Sequence, residues 1–159
     1  MHDVQIIEAK LNQNPQSQAV LDLLDGYART PFGQGRPLDE AVRANLIEKL
    51  KAHPTTRIYL AQDGTDYIGI AVCFVGFSTF AGKPLLNIHD VYVRESHQGR
   101  GIGRRLLEGV SEAARAAGCC KVTLEVMDGN PKASELYQRC GFELGQVGKD
   151  AHRFLSKKL

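Results

Sequence analysis

The chain has 159 residues, a usual size for one domain that encloses its own hydrophobic core. Hydrophobic residues make up 43% and charged residues 24% of it, a balance that excludes a mostly disordered or fibrous chain. The formal net charge is +2, from 20 basic and 18 acidic residues, so charge alone does not suggest nucleic acid or a membrane as a partner. We therefore expect a single domain over residues 1–159.

The first ten residues lack a basic stretch followed by a long apolar run, and no segment approaches the roughly 18 apolar residues needed to span a bilayer. We expect a cytoplasmic protein without a membrane partner. The cysteines, Cys73, Cys119, Cys120 and Cys140, lack Cys-x-x-Cys spacing. Reduced, mostly buried thiols are therefore favoured over a metal site or a redox pair.

The first half of the chain predicts a strand, two helices and a meander of three strands. A short mixed run predicts the first strand, and apolar residues at helical spacing predict two helices separated by a Pro- and Gly-rich loop, 31–37. An Asp-Gly turn between apolar runs is a strong hairpin signal. The predicted bounds are 4–9 for the strand, 16–29 for the first helix, Asp39 to Pro54 for the second, and 57–62, 67–77 and 85–93 for the meander.

The second half predicts two helices, each after a strand. An amphipathic pattern begins at Gly101 and ends at Gly118, which suits a C-cap glycine. The β-branched run 121–127 predicts a strand, the Asn-Pro pair at 130–131 starts another helix, and Gly141 stops it before two short terminal strands. The predicted order is β-α-α-β-β-β-α-β-α-β-β, an α/β fold with one mixed sheet covered by helices on both faces.

The sharpest motif is the run Gln98-Gly99-Arg100-Gly101-Ile102-Gly103, which lies between the strand ending at Val93 and the amphipathic helix. Glycines let the backbone bend tightly there, and the free N–H groups of the first helical turn point at the same place. With the helix dipole and Arg100, Arg104 and Arg105, they form a seat for a pyrophosphate or a ribose phosphate.

Other interpretations of this turn are a plain connection between strand and helix, a P-loop, or a dinucleotide fingerprint. The P-loop is excluded because its Gly-Lys-Ser/Thr ending is missing. The dinucleotide fingerprint is excluded because a meander, and not a parallel β-α-β unit, precedes the turn.

The stretch 87–142 resembles the GCN5-related N-acetyltransferase (GNAT) family. In that family the motif Gln/Arg-x-x-Gly-x-Gly/Ala follows the fourth strand and grips the pyrophosphate of coenzyme A, and Gln98, Gly101 and Gly103 fill it. The second family signature is an Asn, a helix with Ala, and a Tyr before Gly-Phe. It is matched by Asn130, Ala133, Tyr137, Gly141 and Phe142. The segment 85–93 is most similar to the diamine acetyltransferase-like branch, where an acidic residue often replaces His89.

The resemblance implies a GNAT acyl-CoA N-acyltransferase fold with splayed fourth and fifth strands, and acetyl-CoA as co-substrate with no metal. In the family, the N–H matching Val91 polarises the thioester carbonyl, and Val93 helps hold the pantetheine like an added strand. Asn130 has two readings, as helix N-cap and as coenzyme contact. The coenzyme-binding residues implied are Val91, Val93, Gln98, Gly99, Arg100, Gly101, Ile102, Gly103, Arg104, Asn130, Ala133 and Tyr137.

Acetyl transfer needs a group that takes a proton from the amine, because a primary amine with a pKa of about 10.4 is mostly protonated at neutral pH. It also needs an oxyanion partner and a proton donor for the departing thiolate. We predict Tyr137 as the donor, as the family's matching Tyr implies; the alternative is a core tyrosine whose hydroxyl is tied to the backbone. A Ser or Cys nucleophile is unnecessary if both substrates bind together.

For the base we predict His89, acting directly or through water, since a histidine pKa of about 6.5 suits proton acceptance at neutral pH. The alternative is a histidine that is hydrogen-bonded within the sheet. Asp90 and Glu125 are the other candidates. Adjacent strand residues face opposite ways, so His89 and Asp90 share a pocket only if a bulge intervenes, and we predict one near Asp90.

The acceptor pocket is expected between the first two helices, the loop 31–37 and the segment 78–84. By resemblance to the diamine branch, the acceptor is a small primary amine or an amino-acid-like molecule, with a protein lysine or N-terminus second. Asp25, Asp39 and Glu40 can attract a cation or serve as caps. A coenzyme A-binding sensor without turnover and a nucleotide-binding domain stay open. No nucleic-acid partner is expected, and a homodimer is an open alternative.

Overall fold

The computed structural model of the protein describes residues 3–147 and 150–159. Its strands are β1 (Gln5–Glu8), β2 (Thr56–Asp63), β3 (Asp66–Ser78), β4 (Lys83–Val93), β5 (Val122–Leu124), β6 (Gln146–Val147) and β7 (Asp150–Ala151). Its helices are α1 (Gln16–Ala28), α2 (Glu40–Ala52), α3 (Ile102–Ala116) and α4 (Pro131–Arg139). The predicted element order is confirmed. In this described part of the chain, none of the helices is long and apolar enough to cross a membrane.

The main sheet has five strands in the order β1-β2-β3-β4-β5, antiparallel except for the parallel pair β4 and β5. The prediction that the two terminal strands extend this sheet is wrong. β6 and β7 pair with each other in a separate sheet. Each of these strands has two residues, so the second sheet is small.

Helices cover both faces of the main sheet, as predicted, and each face buries its own apolar cluster. On one face, Leu106, Leu107 and Val110 of α3 are fully buried against β3 and β4. On the other, Val20 and Leu23 of α1 are buried against β2 and β3. Burial of each such side chain contributes about 1.5–3 kcal/mol, so these two helices fix the position of the sheet.

The turn residues predicted to end the helices do so. Gly118 and Gly141 adopt positive φ values of 77° and 86° after α3 and α4, a conformation that glycine takes without steric cost. Asn130 caps α4, because its Oδ1 accepts a hydrogen bond of 3.1 Å from the N–H of Ala133. Asp39 precedes α2 as predicted, but its side chain makes no cap hydrogen bond and pairs with Arg36 instead.

Candidate active site

A bulge in β4 sets the geometry of the site. Val72 of β3 pairs with Asp90 while the next residue, Cys73, pairs with Ile88, so that His89 is the extra residue. The predicted bulge near Asp90 is confirmed. Because of it, His89 and Asp90 line the same cavities, and 3.5 Å separates His89 Nδ1 from Asp90 Oδ1.

The bulge also redirects the backbone. Before it, the N–H of Leu86 donates to Lys121 on the β5 side; after it, the N–H of Arg94 donates to Ile68 on the β3 side. Since N–H groups alternate along a strand, those of Val91 and Val93 face away from β3. Pairing between β4 and β5 covers only Leu86 to Ile88, so these N–H groups lie beside the splay that the resemblance implied.

A cleft of about 1370 Å³ opens between the diverging ends of β4 and β5. The four predicted catalytic residues, His89, Asp90, Glu125 and Tyr137, all line this cleft. The structure therefore brings together side chains from β4, from the segment after β5 and from α4. Glu125 is solvent-exposed on the β5 wall.

Tyr137 has the environment of a proton donor. Its ring packs edge-to-face on Phe142, with 6.0 Å between centroids, and in the described part of the chain its hydroxyl has no hydrogen-bond partner. The alternative of a hydroxyl tied to the backbone is therefore not what the structure shows. Burial raises the pKa of Tyr137, and the neighbouring Tyr27 raises it further, so the phenol is protonated at neutral pH.

Asp90 and His89 form a pair with unequal exposure. The side chain of Asp90 is 27% exposed and that of His89 65% exposed. Burial raises the pKa of Asp90 above its usual value, although the charge and the hydrogen bond of His89 partly offset this. The His89 ring also packs edge-to-face on Phe74, with 5.7 Å between centroids. His89 thus contacts Asp90 and Phe74, and the raised pKa of Asp90 makes its carboxylate a stronger proton acceptor than that of an ordinary aspartate.

The glycine-rich turn is open to solvent. Gly99 and Gly101 have φ values of 76° and 78°, and a Cβ added at either would meet no atom within 4 Å. Gly101 is the N-cap of α3, and no side chain caps that helix end. The N–H groups of the first turn of α3 are therefore available to an anion, so the turn fits a diphosphate.

Gln98 ties this turn to its surroundings. Its Nε2 donates to the carbonyl of Val93 at 3.0 Å, and its Oε1 accepts from Lys132 Nζ at 3.4 Å. Gly103 packs closely on α4, because an added Cβ would lie 3.0 Å from Leu136. The motif therefore joins the end of β4 and the starts of α3 and α4.

The basic side chains predicted at the turn differ in whether they already have an ion-pair partner. Arg104 pairs with Glu108 and Arg105 with Asp3, each at 2.7 Å. Arg100 has no ion-pair partner in the part of the chain that the structure describes. Lys132, which carried no distinctive signal in the sequence, also lies at the turn. The position of Lys132 at the turn follows only from the packing of α4 beside α3. Ile102 is buried, so its side chain belongs to the core and only its backbone faces the turn.

A second cavity, of about 460 Å³, lies on the α1 side of the sheet. The prediction of an acceptor pocket between α1, α2 and the intervening loop matches it, but the segment 78–84 does not line it. That segment is the tip of the β3–β4 hairpin, where pairing continues to Ser78 and Lys83 and Phe80 is fully exposed. The apolar lining comes from Leu24, Ala28, Leu38, Val42, Leu46 and Leu50, with Val72 and Phe74 of β3.

Tyr27 is a site residue that the sequence analysis did not identify. It lines both cavities, as His89 and Asp90 do, and its hydroxyl donates to the carbonyl of Phe32 at 3.3 Å. Burial raises its pKa, and the charge of Asp90 adds to the effect. Its position on the apolar face of α1 predicts only a residue of the hydrophobic core.

Two of the acidic residues predicted to attract a cation, Asp25 and Asp39, already pair with other side chains. Asp25 is buried and accepts hydrogen bonds of 2.9 Å from Arg29 and from the N–H of Leu38. Burial raises the pKa of Asp25, but these bonds and the nearby guanidinium groups more than offset it, so that the pKa lies below its ordinary value. Asp39 is held by Arg36. Asp25 is therefore a structural carboxylate that joins α1 to the loop before α2.

The strand–turn–helix cradle, the splayed sheet and the Tyr137 cleft define an acyltransferase-type site. The sequence profile of the acetyltransferase (GNAT) family matches residues 18–142, and the chain belongs to this family. In the part of the chain that the structure describes, no cluster of His, Cys, Asp and Glu suits a metal ion.

Similar proteins agree with this assignment. A thialysine N-epsilon-acetyltransferase of Bos taurus is 32% identical over 117 residues, which are 74% of this chain and 59% of the relative. An L-methionine sulfoximine/L-methionine sulfone acetyltransferase of Pseudomonas aeruginosa is 38% identical over 123 residues, 75% of this chain and 71% of the relative. A crystal structure of a probable acetyltransferase has a TM-score of 0.81 at 20% identity, covering 97% of this chain and 99% of the other, which shows the fold.

Proposed function

We propose that this protein is an N-acetyltransferase that moves an acetyl group from acetyl-CoA to a small primary amine while both substrates are bound. The observation that carries the proposal is the junction of the two cavities at Tyr27, His89 and Asp90. An acceptor on the α1 side there reaches the cleft that holds Tyr137. The small-molecule names of the acetyltransferase relatives support a small acceptor.

Acetyl-CoA supplies the activated thioester. The turn Gln98 to Gly103 would hold its diphosphate through backbone N–H groups, with Arg100 and Lys132 as nearby cations and Arg104, Asn130 and Ala133 flanking the coenzyme. The N–H groups of Val91 and Val93 face the splay and would hold the thioester carbonyl and the pantetheine.

The base is assigned to the Asp90–His89 pair, which takes a proton from the amine directly or through water. Glu125 on the opposite wall is the alternative base. The amine nitrogen then bonds to the thioester carbonyl carbon, and the carbon–sulfur bond breaks. Tyr137 gives its phenolic proton to the thiolate, the nitrogen loses its second proton to solvent as the amide forms, and solvent reprotonates Tyr137.

The test is an amine panel assayed by release of free thiol, with mass spectrometry of the product. Tyr137→Phe is expected to lower kcat at least about 100-fold at neutral pH, with little change in acetyl-CoA affinity, because only the donated proton is lost. Tyr59→Phe is the matched control, since Tyr59 is buried in the core and lines neither cavity. An unchanged kcat in Tyr137→Phe would refute the donor role.

The panel also separates the alternatives. Acetylation of peptides but not of small amines would indicate a protein acceptor. Binding of acetyl-CoA without any acetylation would indicate a sensor. A single domain over residues 1–159, a cytoplasmic location and a homodimer stay predictions.

A further inference from the structure

The cavity between α1 and α2 has a charge pattern that limits its ligands. Apart from the Tyr27 phenol, the ionisable side chains among the described residues that line it are His89 and Asp90. None of those lining residues is a lysine or an arginine. A carboxylate or a phosphate on the acceptor would therefore find no cationic partner on these walls.

The arginines on neighbouring elements are already paired. Arg29 and Arg43 each lie 2.9 Å from an aspartate oxygen, and Arg36 is in direct contact with one. The pairs are Arg29–Asp25, Arg43–Asp22 and Arg36–Asp39. Turning one of them toward an anionic ligand would break an existing pair, so a carboxylate gains less from these arginines than from an unpaired cation.

Among the described residues that line this cavity, negative charge is found at a single position. Asp90, at the junction with the Tyr137 cleft, is the carboxylate among the described lining residues. The α2 wall presents Val42, Leu46 and Leu50. One ammonium therefore finds a partner at Asp90, and a second one against α2 does not.

We propose that the acceptor is a primary monoamine with an apolar body, whose amino group lies at Asp90 and whose body packs on the aliphatic and aromatic walls. This inference rests on the proposed function. It departs from the expectation of a diamine or an amino-acid-like acceptor. The physical reason is that a charge placed against these apolar walls loses part of its hydration without gaining a partner, even though the α2 wall is partly exposed.

Pentylamine, 1,5-diaminopentane and L-lysine form a matched test series, because they share an aminoalkyl chain, the diamine adds an ammonium to it, and lysine adds both an ammonium and a carboxylate. Values of kcat/KM from thiol release are expected to favour pentylamine over each of the others at least about tenfold, the effect of one unpaired, partly desolvated charge. Equal or better use of the diamine or of lysine would overturn the inference while leaving the acetyltransferase proposal intact.

Val42 allows a second test, because it lines the α2 wall and, at 43% exposure, can be replaced without disturbing a packed core. Val42→Glu places a carboxylate on the α2 wall and is expected to raise the ratio of diaminopentane to pentylamine turnover at least about threefold over Val42→Gln, the neutral control. An unchanged ratio would contradict the placement of the acceptor body on α2.

If acetyl-CoA binds but no amine is acetylated, the proposed function fails, and calorimetry then tests the inference by itself. Tighter binding of pentylamine than of diaminopentane and lysine supports an apolar monoamine site. Equal binding of the three overturns it.

Discussion

Ionisation of the partly buried Asp90 carboxyl group destabilises the folded protein. Burial raises its pKa above the ordinary 3.8, so the ionised form destabilises the folded chain at any pH above that raised pKa. Asp90→Asn is expected to raise the free energy of unfolding at pH 7 and to lower kcat/KM for amines at least about 100-fold. Urea denaturation at pH 7 and pH 4 checks the stability half. The stability gained by Asp90→Asn should shrink as the pH falls through the raised pKa of Asp90.

His89→Gln is the companion variant. It keeps a polar side chain at the bulge but removes the group that lowers the pKa of Asp90. The acid limb of the pH profile of kcat/KM should therefore move to higher pH in His89→Gln if Asp90 is the base. A limb that disappears would assign the base to His89.

At the residue scale, the sequence identified groups that stand in a motif or carry distinctive chemistry on a strand. Tyr137, His89, Asp90 and Glu125 were found in this way, and the structure brings them to one cleft. Tyr27 was missed because a tyrosine on an apolar helix face suits the core equally well. Tyr27 lines both cavities only because α1 packs close to β4 in the fold. No local sequence pattern predicts that packing.

The start of α3 depends on a left-handed glycine. Gly101 and Gly118, at the two ends of this helix, have φ values of 78° and 77° with open space where a Cβ would lie. Alanine at either position should cost about 1 kcal/mol of stability through backbone strain alone. Only Gly101→Ala is expected to weaken coenzyme A binding as well, at least about fivefold, because it also shifts the N–H groups of the turn. Calorimetry on both variants measures this, and an equal loss of affinity in Gly118→Ala would assign the effect to general strain.

Asp25 holds α1 to the loop before α2, beside the cavity on the α1 side of the sheet. Its pKa is lowered in the fold, so it stabilises the folded chain at pH values above 3.8, and this contribution is lost as the pH falls through the lowered pKa. Asp25→Asn is expected to reduce the free energy of unfolding by about 1–3 kcal/mol, since it weakens the charged bonds to Arg29 and Leu38. Asp39→Asn should change it by about 1 kcal/mol or less, because that pair is exposed. Equal losses in urea denaturation would contradict this distinction.

Among the elements, the helices, the long strands and β1 could be predicted, but the length of β5 and the pairing of the two terminal strands could not. Caps and periodicity located α1 to α4 within one or two residues. The β-branched run 121–127 predicted a longer strand than β5, because propensity does not report that the bulge ends its pairing at Leu124. The partner of the terminal strands is likewise set by packing.

At the scale of the whole molecule, the two cavities share Tyr27, His89 and Asp90 as lining residues, which supports the proposed direct transfer. Two of the thiols are poorly suited as carriers, since burial raises the pKa of Cys73 to about 12 and also raises that of Cys140. Initial-velocity plots against both substrates are therefore expected to intersect. Intact mass after incubation with acetyl-CoA alone should show no acetylated enzyme. Parallel lines with a mass increase of one acetyl group would contradict direct transfer.

The extra residue in β4 has a consequence for related sequences. Leu86 and Ile88 before it, and Val91 and Val93 after it, all pack on the α3 face. Removing His89 would turn β4 into an uninterrupted alternation with the same buried residues, and the sheet could then close along β5. A related sequence that is one residue shorter at this point is therefore expected to keep the fold but to lose the divergence of β4 from β5 and, with it, the cleft.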